Sequence, residues 1–185
     1  LKQVKDLTGS DVLLMKLGDG ALATPKVTLT SVVYKKSKYT SFQLQSIRQP
    51  RVLDEQLAYF LGLYYADGWN DRQGIGFCIP DDDQVEQFAR NLVQELFGAR
   101  TVISKTKNEN CRKVKVNSLW IKQYLKSNDI LKAHAWEIEL PEKILRSPGP
   151  VQMAFADGFF AGDGDNGKNY RLNSTSKTFI QQLQL

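Results

Sequence analysis

The chain contains an internal repeat, and this repeat constrains its fold more than any other feature. Residues 56–68 align with residues 152–164 at a constant offset of 96 residues and without a gap. Gln, two small residues, Asp and a final Gly are identical in register, and most other positions exchange similar aromatic or aliphatic side chains. Duplication explains this agreement better than chance, so the sequence predicts two structurally related halves.

Each copy of the repeat is predicted to form a helix. Pro50, Asp54 and Glu55 lie at the start of the first copy, and Pro150 opens the second, where a missing N–H is tolerated and acidic groups favour the helix N-terminus. Each helix is expected to end at a glycine, Gly68 or Gly164, in the position where helices commonly stop.

Small residues recur four positions apart in both predicted helices. The pairs are Gly62 with Ala66 and Gly158 with Gly162. Glycine inside a helix costs about 0.5–1 kcal/mol relative to alanine, so its presence requires compensation. Close approach of two helix backbones provides it, and the pattern therefore predicts that the two repeat helices pack directly against each other.

One aspartate lies in the last turn of each predicted helix, five residues after the glycine. The helix dipole disfavours Asp67 and Asp163 at these positions. If the two helices pack side by side, the carboxylates converge and repel each other unless a cation lies between them. Oxygen ligands indicate a hard ion, with Mg²⁺ (or Mn²⁺) the first choice. The alternative is that each aspartate only ends its helix together with the following glycine.

The charge distribution indicates a polyanionic partner. Residues 1–51 and 100–132 carry net charges of +6 and +7, whereas residues 52–99 carry −7, within an overall charge of +5. Solvated lysine-rich faces are the alternative. One histidine and two cysteines argue against Ser-His-Asp catalysis, a His-rich metal site and a disulfide framework, and a reducing, cytoplasmic location is expected.

The two repeats resemble the signature motifs of LAGLIDADG homing endonucleases in their two-motif, single-chain form. The resemblance implies an α+β fold in which αββαββα halves are related by a pseudo-twofold axis, with the second half incomplete in this chain. It also implies that Asp67 and Asp163 bind the divalent metal ions that cut DNA. By the same resemblance, Lys115 is the lysine that orders water near the scissile phosphate, and Asp81 and Ser176 are water-positioning residues.

The segment between the repeats fits one half of this fold. A strand is predicted at 74–79, an amphipathic helix at 83–97 ended by Gly98, a hairpin at 102–105 and 112–116, and a helix from 118 to 125. Residues 138–144 are expected to be extended and then irregular. The predicted hairpin is basic and is expected to bind DNA, because a two-stranded ribbon fits a major groove. The candidate DNA-binding residues there, besides Lys115, are Arg100, Lys105, Lys107, Arg112 and Lys113. A solvated hairpin edge protected by lysines is the alternative.

We expect three parts in the chain: a β-rich N-terminal segment (1–50), a first LAGLIDADG half (51–146) and the start of a second (147–185). Residues 4–13 resemble a stretch of an intein that precedes an inserted endonuclease. The resemblance therefore implies a site-specific, metal-dependent endonuclease acting on double-stranded DNA, a pseudo-dimeric monomer when complete, inserted in a host protein. The alternatives are a non-cleaving nucleic-acid-binding protein (a transcription regulator or RNA maturase) and an intein whose nuclease has decayed. No membrane partner is expected.

Overall fold

The computed structural model describes residues 25–33, 47–105, 110–165, 171–172 and 174–183. The first half contains, in chain order, α1 (Glu55–Asp67), β1 (Trp69–Asn70), β2 (Ile75–Pro80), α2 (Asp83–Phe97), β3 (Val102–Lys105), β4 (Cys111–Val116) and α3 (Leu119–Ser127). The chain continues with α4 (Glu142–Leu145), α5 (Gly149–Asp163), β5 (Gly164–Asp165), β6 (Arg171–Leu172) and α6 (Lys177–Leu183). In the part of the chain described, no helix has the length and apolar character needed to cross a membrane.

The first seven elements follow the predicted αββαββα order, and the α+β fold class is confirmed. Both long helices of this half begin at an aspartate whose side chain accepts backbone N–H groups. Asp54 accepts from Leu57 at 2.9 Å, and Asp82 accepts from Gln84 and Val85 at 2.7 and 3.0 Å. These caps satisfy N–H groups that have no partner within the helix.

The two glycines that end these helices act differently. Gly98 adopts the left-handed conformation (φ +63°) and donates its N–H to the carbonyl of Gln94, as expected after a helix. Gly68 also ends its helix as predicted, but it does so in an extended conformation (φ −86°, ψ 158°). Glycine is needed at this position because a Cβ atom would lie 2.9 Å from the backbone carbon of Tyr64.

The four strands of the first half form an antiparallel sheet in the order β1-β2-β4-β3. Residues paired across antiparallel strands point to the same side of a sheet. One side carries the buried residues Ile75, Phe77, Ile79, Val114 and Val116, and this side packs on α1 and α2. The other side carries Trp69, Gly76, Cys78, Lys113 and Lys115. We call it the open face because its side chains, at every one of these positions except the buried Gly76, remain partly exposed.

The two repeat helices form the most extensive contact between elements in the described chain. A Cβ atom on Gly62 would lie 2.5 Å from the backbone nitrogen of Phe159, and one on Gly158 would lie 2.8 Å from the backbone carbon of Tyr59. Gly162 faces Ala66, its own counterpart in the repeat, with 2.6 Å between the added Cβ and the alanine Cβ. These reciprocal contacts are those of a pseudo-twofold axis, and the predicted close packing of the helices is confirmed.

The second repeat is followed by elements that parallel those of the first. The short pair β5–β6 corresponds to β1–β2, and α6 corresponds to the start of α2. Phe179 of α6 packs against Phe159 of α5 with 4.8 Å between ring centroids. Residues 138–144 differ from expectation, because the stretch is irregular first and then forms the helix α4.

An extended segment before α1 packs against the first half. Thr28 bridges Val52, and the N–H of Leu29 donates to the carbonyl of Arg51 at 2.9 Å. The side chain of Asn128 bonds both the N–H and the C=O of Thr30, at 2.8 and 2.9 Å. Residues 4–13, which carry the resemblance to an intein, lie outside the described residues.

Candidate active site

A cleft of about 470 Å³ opens where the two repeat helices end. Asp67, Asp163 and Lys132 supply its charged side chains. Its remaining walls come from α1, α5, α6 and the loops before α4 and α6: Tyr65, Ala66, Ala135, Ile138, Phe159, Ser174, Thr175 and Ile180. The cleft therefore brings together both aspartates that the repeat singled out and a lysine that sequence patterns did not indicate.

The two aspartates occupy equivalent positions at the C-terminal ends of α1 and α5 and interact electrostatically. Burial, and then the nearby negative charge of Asp67, raise the pKa of Asp163 above its ordinary value. Asp67 is exposed, whereas Asp163 is half-buried. The predicted convergence of the two carboxyl groups is thus present, and the two groups are not equivalent in their surroundings.

Lys132 lies beside both aspartates, although it is only 5% exposed. Its Nζ donates a hydrogen bond to the carbonyl oxygen of Ala66 at 2.7 Å, in the last turn of α1. Burial lowers the pKa of Lys132 to about 8, against the opposing effect of Asp67 and Asp163. An amine with this pKa exchanges its proton near neutral pH far more readily than an exposed lysine does.

The backbone of Lys132 is tied to the first repeat helix through two side chains. Asn70 donates from Nδ2 to the carbonyl of Lys132 at 2.7 Å, and its Oδ1 accepts from the hydroxyl of Tyr64. Tyr64 is fully buried in α1, and burial raises its pKa, which keeps the hydroxyl protonated as a donor. This chain of hydrogen bonds fixes where the lysine enters the cleft.

The donor set of the cleft suits a hard divalent cation. Asp67 and Asp163 offer carboxylate oxygens, and their mutual repulsion is relieved when a cation binds between them. Nowhere in the described ranges do three or more His, Cys, Asp or Glu side chains gather into a group able to hold a metal ion. A metal at this site would therefore take further oxygen ligands from water, backbone or substrate, as Mg²⁺ commonly does.

Lys115 lies elsewhere. It is paired with Gly76 and Val102 on the open face of the sheet, and its Nζ is 3.8 Å from Oδ2 of Asp71. It does not line the cleft that contains Asp67 and Asp163. The role near the scissile phosphate that the resemblance implies for Lys115 stays a prediction, whereas the lysine that lies beside the two acids is Lys132.

Asp81 and Ser176 are both engaged in interactions within the protein. Asp81 accepts hydrogen bonds from Lys105 and, at 2.7 Å, from Nε of Arg112, and these bonds lower its pKa. Ser176 is buried; its hydroxyl donates to the carbonyl of Ile138 at 2.7 Å and accepts from the N–H of Phe179. Ser176 thus caps α6 as Asp82, the residue after Asp81, caps α2.

The sheet register divides the predicted basic surface between two faces. Lys113 lies on the open face with Lys115, as expected. Arg112 and its strand partner Lys105 lie on the opposite face, where Arg112 bonds Asp81, Asp83 and Glu86. The expectation that all these side chains form one surface is wrong, because Arg112 shares the parity of the buried Val114. Arg100 is exposed in the connection between α2 and β3, and Lys107 lies outside the described residues.

Comparison with curated proteins finds similar segments within much longer chains. The chain is 28% identical over 141 residues to a DNA polymerase of Thermococcus litoralis, covering 71% of this chain and 8% of the polymerase. It is 25% identical over 165 residues to an A-type ATP synthase subunit of Pyrococcus abyssi, covering 88% of this chain and 15% of that protein. The chain thus spans a small fraction of these relatives. No family model matches it.

Comparison with solved structures finds the same fold in the homing endonuclease I-DmoI. A structure of a mesophilic I-DmoI variant superposes with a TM-score of 0.53 at 18% identity, covering 71% of this chain and 74% of that one. I-DmoI in complex with DNA and Mn gives a TM-score of 0.50 at 19% identity, covering 71% of this chain and 75% of that one. At this identity the likeness establishes the fold.

Proposed function

We propose that this chain, a LAGLIDADG protein in motif and fold, hydrolyses phosphodiester bonds of duplex DNA at specific sites with the help of a divalent metal ion. The observation that carries the proposal is the cleft in which two repeat-related carboxylates, Asp67 and Asp163, converge beside the buried Lys132. A protein that only bound nucleic acid would gain nothing from carboxylates that repel both each other and the phosphate backbone.

The two aspartates are proposed to hold Mg²⁺ or Mn²⁺ at the end of the helix pair. Such an ion, when bound, polarises a phosphate oxygen and lowers the pKa of a coordinated water. The tight helix contact at Gly62 and Gly158 keeps the two carboxyl groups at a fixed relative position, which prepares the site before substrate arrives.

Lys132 is proposed to act on the substrate side of the cleft. Its amine donates to the carbonyl of Ala66, its backbone carbonyl accepts from Asn70, and its side chain lines the cleft together with the two acids. Protonated, it stabilises negative charge that develops on the phosphate. We assign to Lys132 the role that the family resemblance gave to Lys115.

The open face is proposed to carry the duplex. Lys113 and Lys115 project from it beside Trp69, whose indole lies over Gly76. Phosphate contacts of lysines supply salt-dependent affinity, and contacts with base edges supply the sequence preference. Arg112 is excluded from this surface because it binds acidic residues on the other side of the sheet.

We further propose that the chain is the endonuclease part of an intein. Its curated matches occupy small parts of a DNA polymerase and of an ATP synthase component, two proteins that share no activity. A segment common to such different chains is better explained as an inserted element than as part of either enzyme. An insert that cuts DNA and leaves its host protein by splicing fits this distribution, and the resemblance of residues 4–13 to an intein supports it.

The test uses the full-length chain on duplexes enriched by binding from a random-sequence library. Strand cleavage is measured with Mg²⁺, with Mn²⁺ and with EDTA. We expect cleavage with either metal, loss of cleavage with EDTA, and a decrease of at least about 100-fold in rate for Asp67→Asn and for Asp163→Asn. Asp157→Asn is the matched control, because Asp157 is also on α5 but is exposed and lies outside the cleft.

Two other outcomes favour the alternative functions. Specific binding without strand breaks in both metals, unchanged in the two Asn variants, would support a non-cleaving regulator or maturase. Splicing activity of a longer chain without any cleavage would support an intein with a decayed nuclease.

A pair of lysine variants separates the roles proposed for Lys132 and Lys115. We expect Lys132→Met to reduce the cleavage rate and Lys115→Met to weaken DNA binding.

A further inference from the structure

A stacked pair of aromatic side chains lies in the loop that follows Lys132. His134 and Trp136 have ring centroids 4.8 Å apart and an interplanar angle of 4°. Although Trp136 is the larger and more apolar of the two, it is 65% exposed. Ala135, between them in sequence, lines the cleft that contains Asp67 and Asp163. The pair therefore lies on the rim of the candidate active site.

The loop backbone is held at several points on either side of the indole, and the indole itself stacks on His134. The N–H of Glu137 donates to the carbonyl of His134 at 2.9 Å and closes a turn around the pair. Ile138 is buried, and its carbonyl accepts a hydrogen bond from Ser176. The N–H of Leu140 donates to Oε1 of Gln182 at 2.7 Å. A ring fixed in this way loses little conformational entropy when another ring stacks on it.

The charges around the loop identify the kind of contact that it can make with DNA. Glu137 and Glu139 are both exposed in the same loop, and carboxylates repel phosphate groups. An uncharged aromatic face, by contrast, stacks on any base, because every base has a π-face. The rim is therefore suited to contact a base and unsuited to bind the sugar-phosphate backbone.

We propose that Trp136, supported by His134, stacks on a base of the duplex at the cleavage site and holds that base partly out of the helical stack. This inference rests on the proposed function and adds a DNA contact outside the sheet. Unstacking a base beside the cleft widens access to the neighbouring phosphate, because an inserted or stacked side chain kinks the duplex locally. Trp136 is thus a substrate-binding residue that acts on the shape of the DNA.

The test measures binding of the full-length chain to the enriched duplex with Ca²⁺ in place of Mg²⁺, which separates binding from hydrolysis. The duplex carries 2-aminopurine at successive positions across the cleavage site, so that unstacking appears as an increase in fluorescence. We expect Trp136→Ala to weaken binding about tenfold and to abolish the increase at one or two positions. Trp136→Phe, which retains a ring, should restore most of both signals.

Met153→Ala serves as the control, because Met153 is 62% exposed on α5 and lies outside the cleft. Wild-type affinity and an unchanged fluorescence increase in Trp136→Ala would overturn the stacking, even if the chain cleaves DNA. Tight binding and a Trp136-dependent fluorescence increase, without cleavage in Mg²⁺ or Mn²⁺, would support the stacking and overturn the nuclease. A chain that retains no duplex from the library overturns both.

Discussion

The two repeat helices share one contact and differ in almost everything around it. Along the contact, Gly62 and Gly158 meet each other's helix backbones in the same way. Elsewhere α1 is buried over most of its length between the sheet and α5, whereas α5 buries four residues in the described structure: Val151, Phe155, Gly158 and Phe159. The repeat thus preserves what both helices need at the axis, and the flanking positions have diverged.

Tyr65 and Ala161 show this divergence most clearly, because they occupy equivalent positions in the repeat. The ring of Tyr65 packs against Phe155 at 5.6 Å between centroids and also contacts Phe179. At the equivalent place on the other side of the axis, Ala161 borders an apolar cavity of about 300 Å³ that Tyr59 and Phe88 also line. One side of the axis is closed by an aromatic ring, and the other is left open.

The largest effect is expected where the two helices are the same. Gly62→Val should lower the free energy of unfolding by about 4 kcal/mol or more, because the added atoms would collide with the backbone of α5. Urea denaturation measures the change, with Met153→Val on the exposed side of α5 as the control. A decrease in the free energy of unfolding below about 1 kcal/mol would show that α1 and α5 can move apart at little cost. The close contact would then not be what the two repeat helices have in common.

Removal of the Tyr65 ring should cause the next largest loss of stability. Tyr65→Ala is expected to destabilise the protein by about 3 kcal/mol, since the ring is buried among Phe155 and Phe179. Tyr65→Phe keeps the ring and should cost much less. Calorimetry of both variants provides the measurement; equal losses would mean that the hydroxyl group, and not packing, accounts for the contribution of Tyr65.

The buried lysine predicts a pH dependence of stability with a definite sign. Lys132 has a folded-state pKa of about 8 against an ordinary value of 10.5, so the unfolded chain binds more protons than the folded chain between these values. Unfolding free energy should therefore rise with pH across this window, by about 3 kcal/mol relative to Lys132→Met. Urea titrations in EDTA at about pH 7, 9 and 10.5 span the window and measure it. Parallel curves for the two proteins would contradict the burial of a lysine whose pKa is lowered.

The smallest change in stability is expected where the cavity beside Ala161 is filled. Ala161→Tyr gives the second repeat the tyrosine that the first repeat has at Tyr65. Because the ring would enter the cavity, we expect the free energy of unfolding to increase by about 0.5–1 kcal/mol. Ala161→Ser, which adds no ring, is the control. A destabilised tyrosine variant would indicate that the two sides of the axis differ in shape as well as in sequence.

The helix pair was predictable from sequence because duplication repeats the small residues in register. Gly62 and Gly158 are costly inside helices, so their recurrence required a close contact, and both aspartates followed from the same alignment. The end of α2 was predictable for a different reason, since Gly98 is a residue type that terminates helices through local hydrogen bonds. Local chemistry and repetition thus account for the parts of the fold that were anticipated.

Lys132 could not be found in this way. It follows α3 in an irregular stretch without periodicity, and its burial depends on a contact with Ala66, 66 residues earlier in the chain. Arg112 was misplaced for a different reason: its parity with Val114 was available in the sequence, but the abundance of neighbouring lysines suggested one continuous surface. A long-range contact thus determines the position of Lys132, and the direction of its side chain determines that of Arg112.

The hydrogen bonds that join Tyr64, Asn70 and the carbonyl of Lys132 have a consequence for engineering. They make the placement of the lysine depend on a fully buried tyrosine. Under the proposed function, substitution of Tyr64 would therefore change the cleavage rate without changing a residue that contacts DNA.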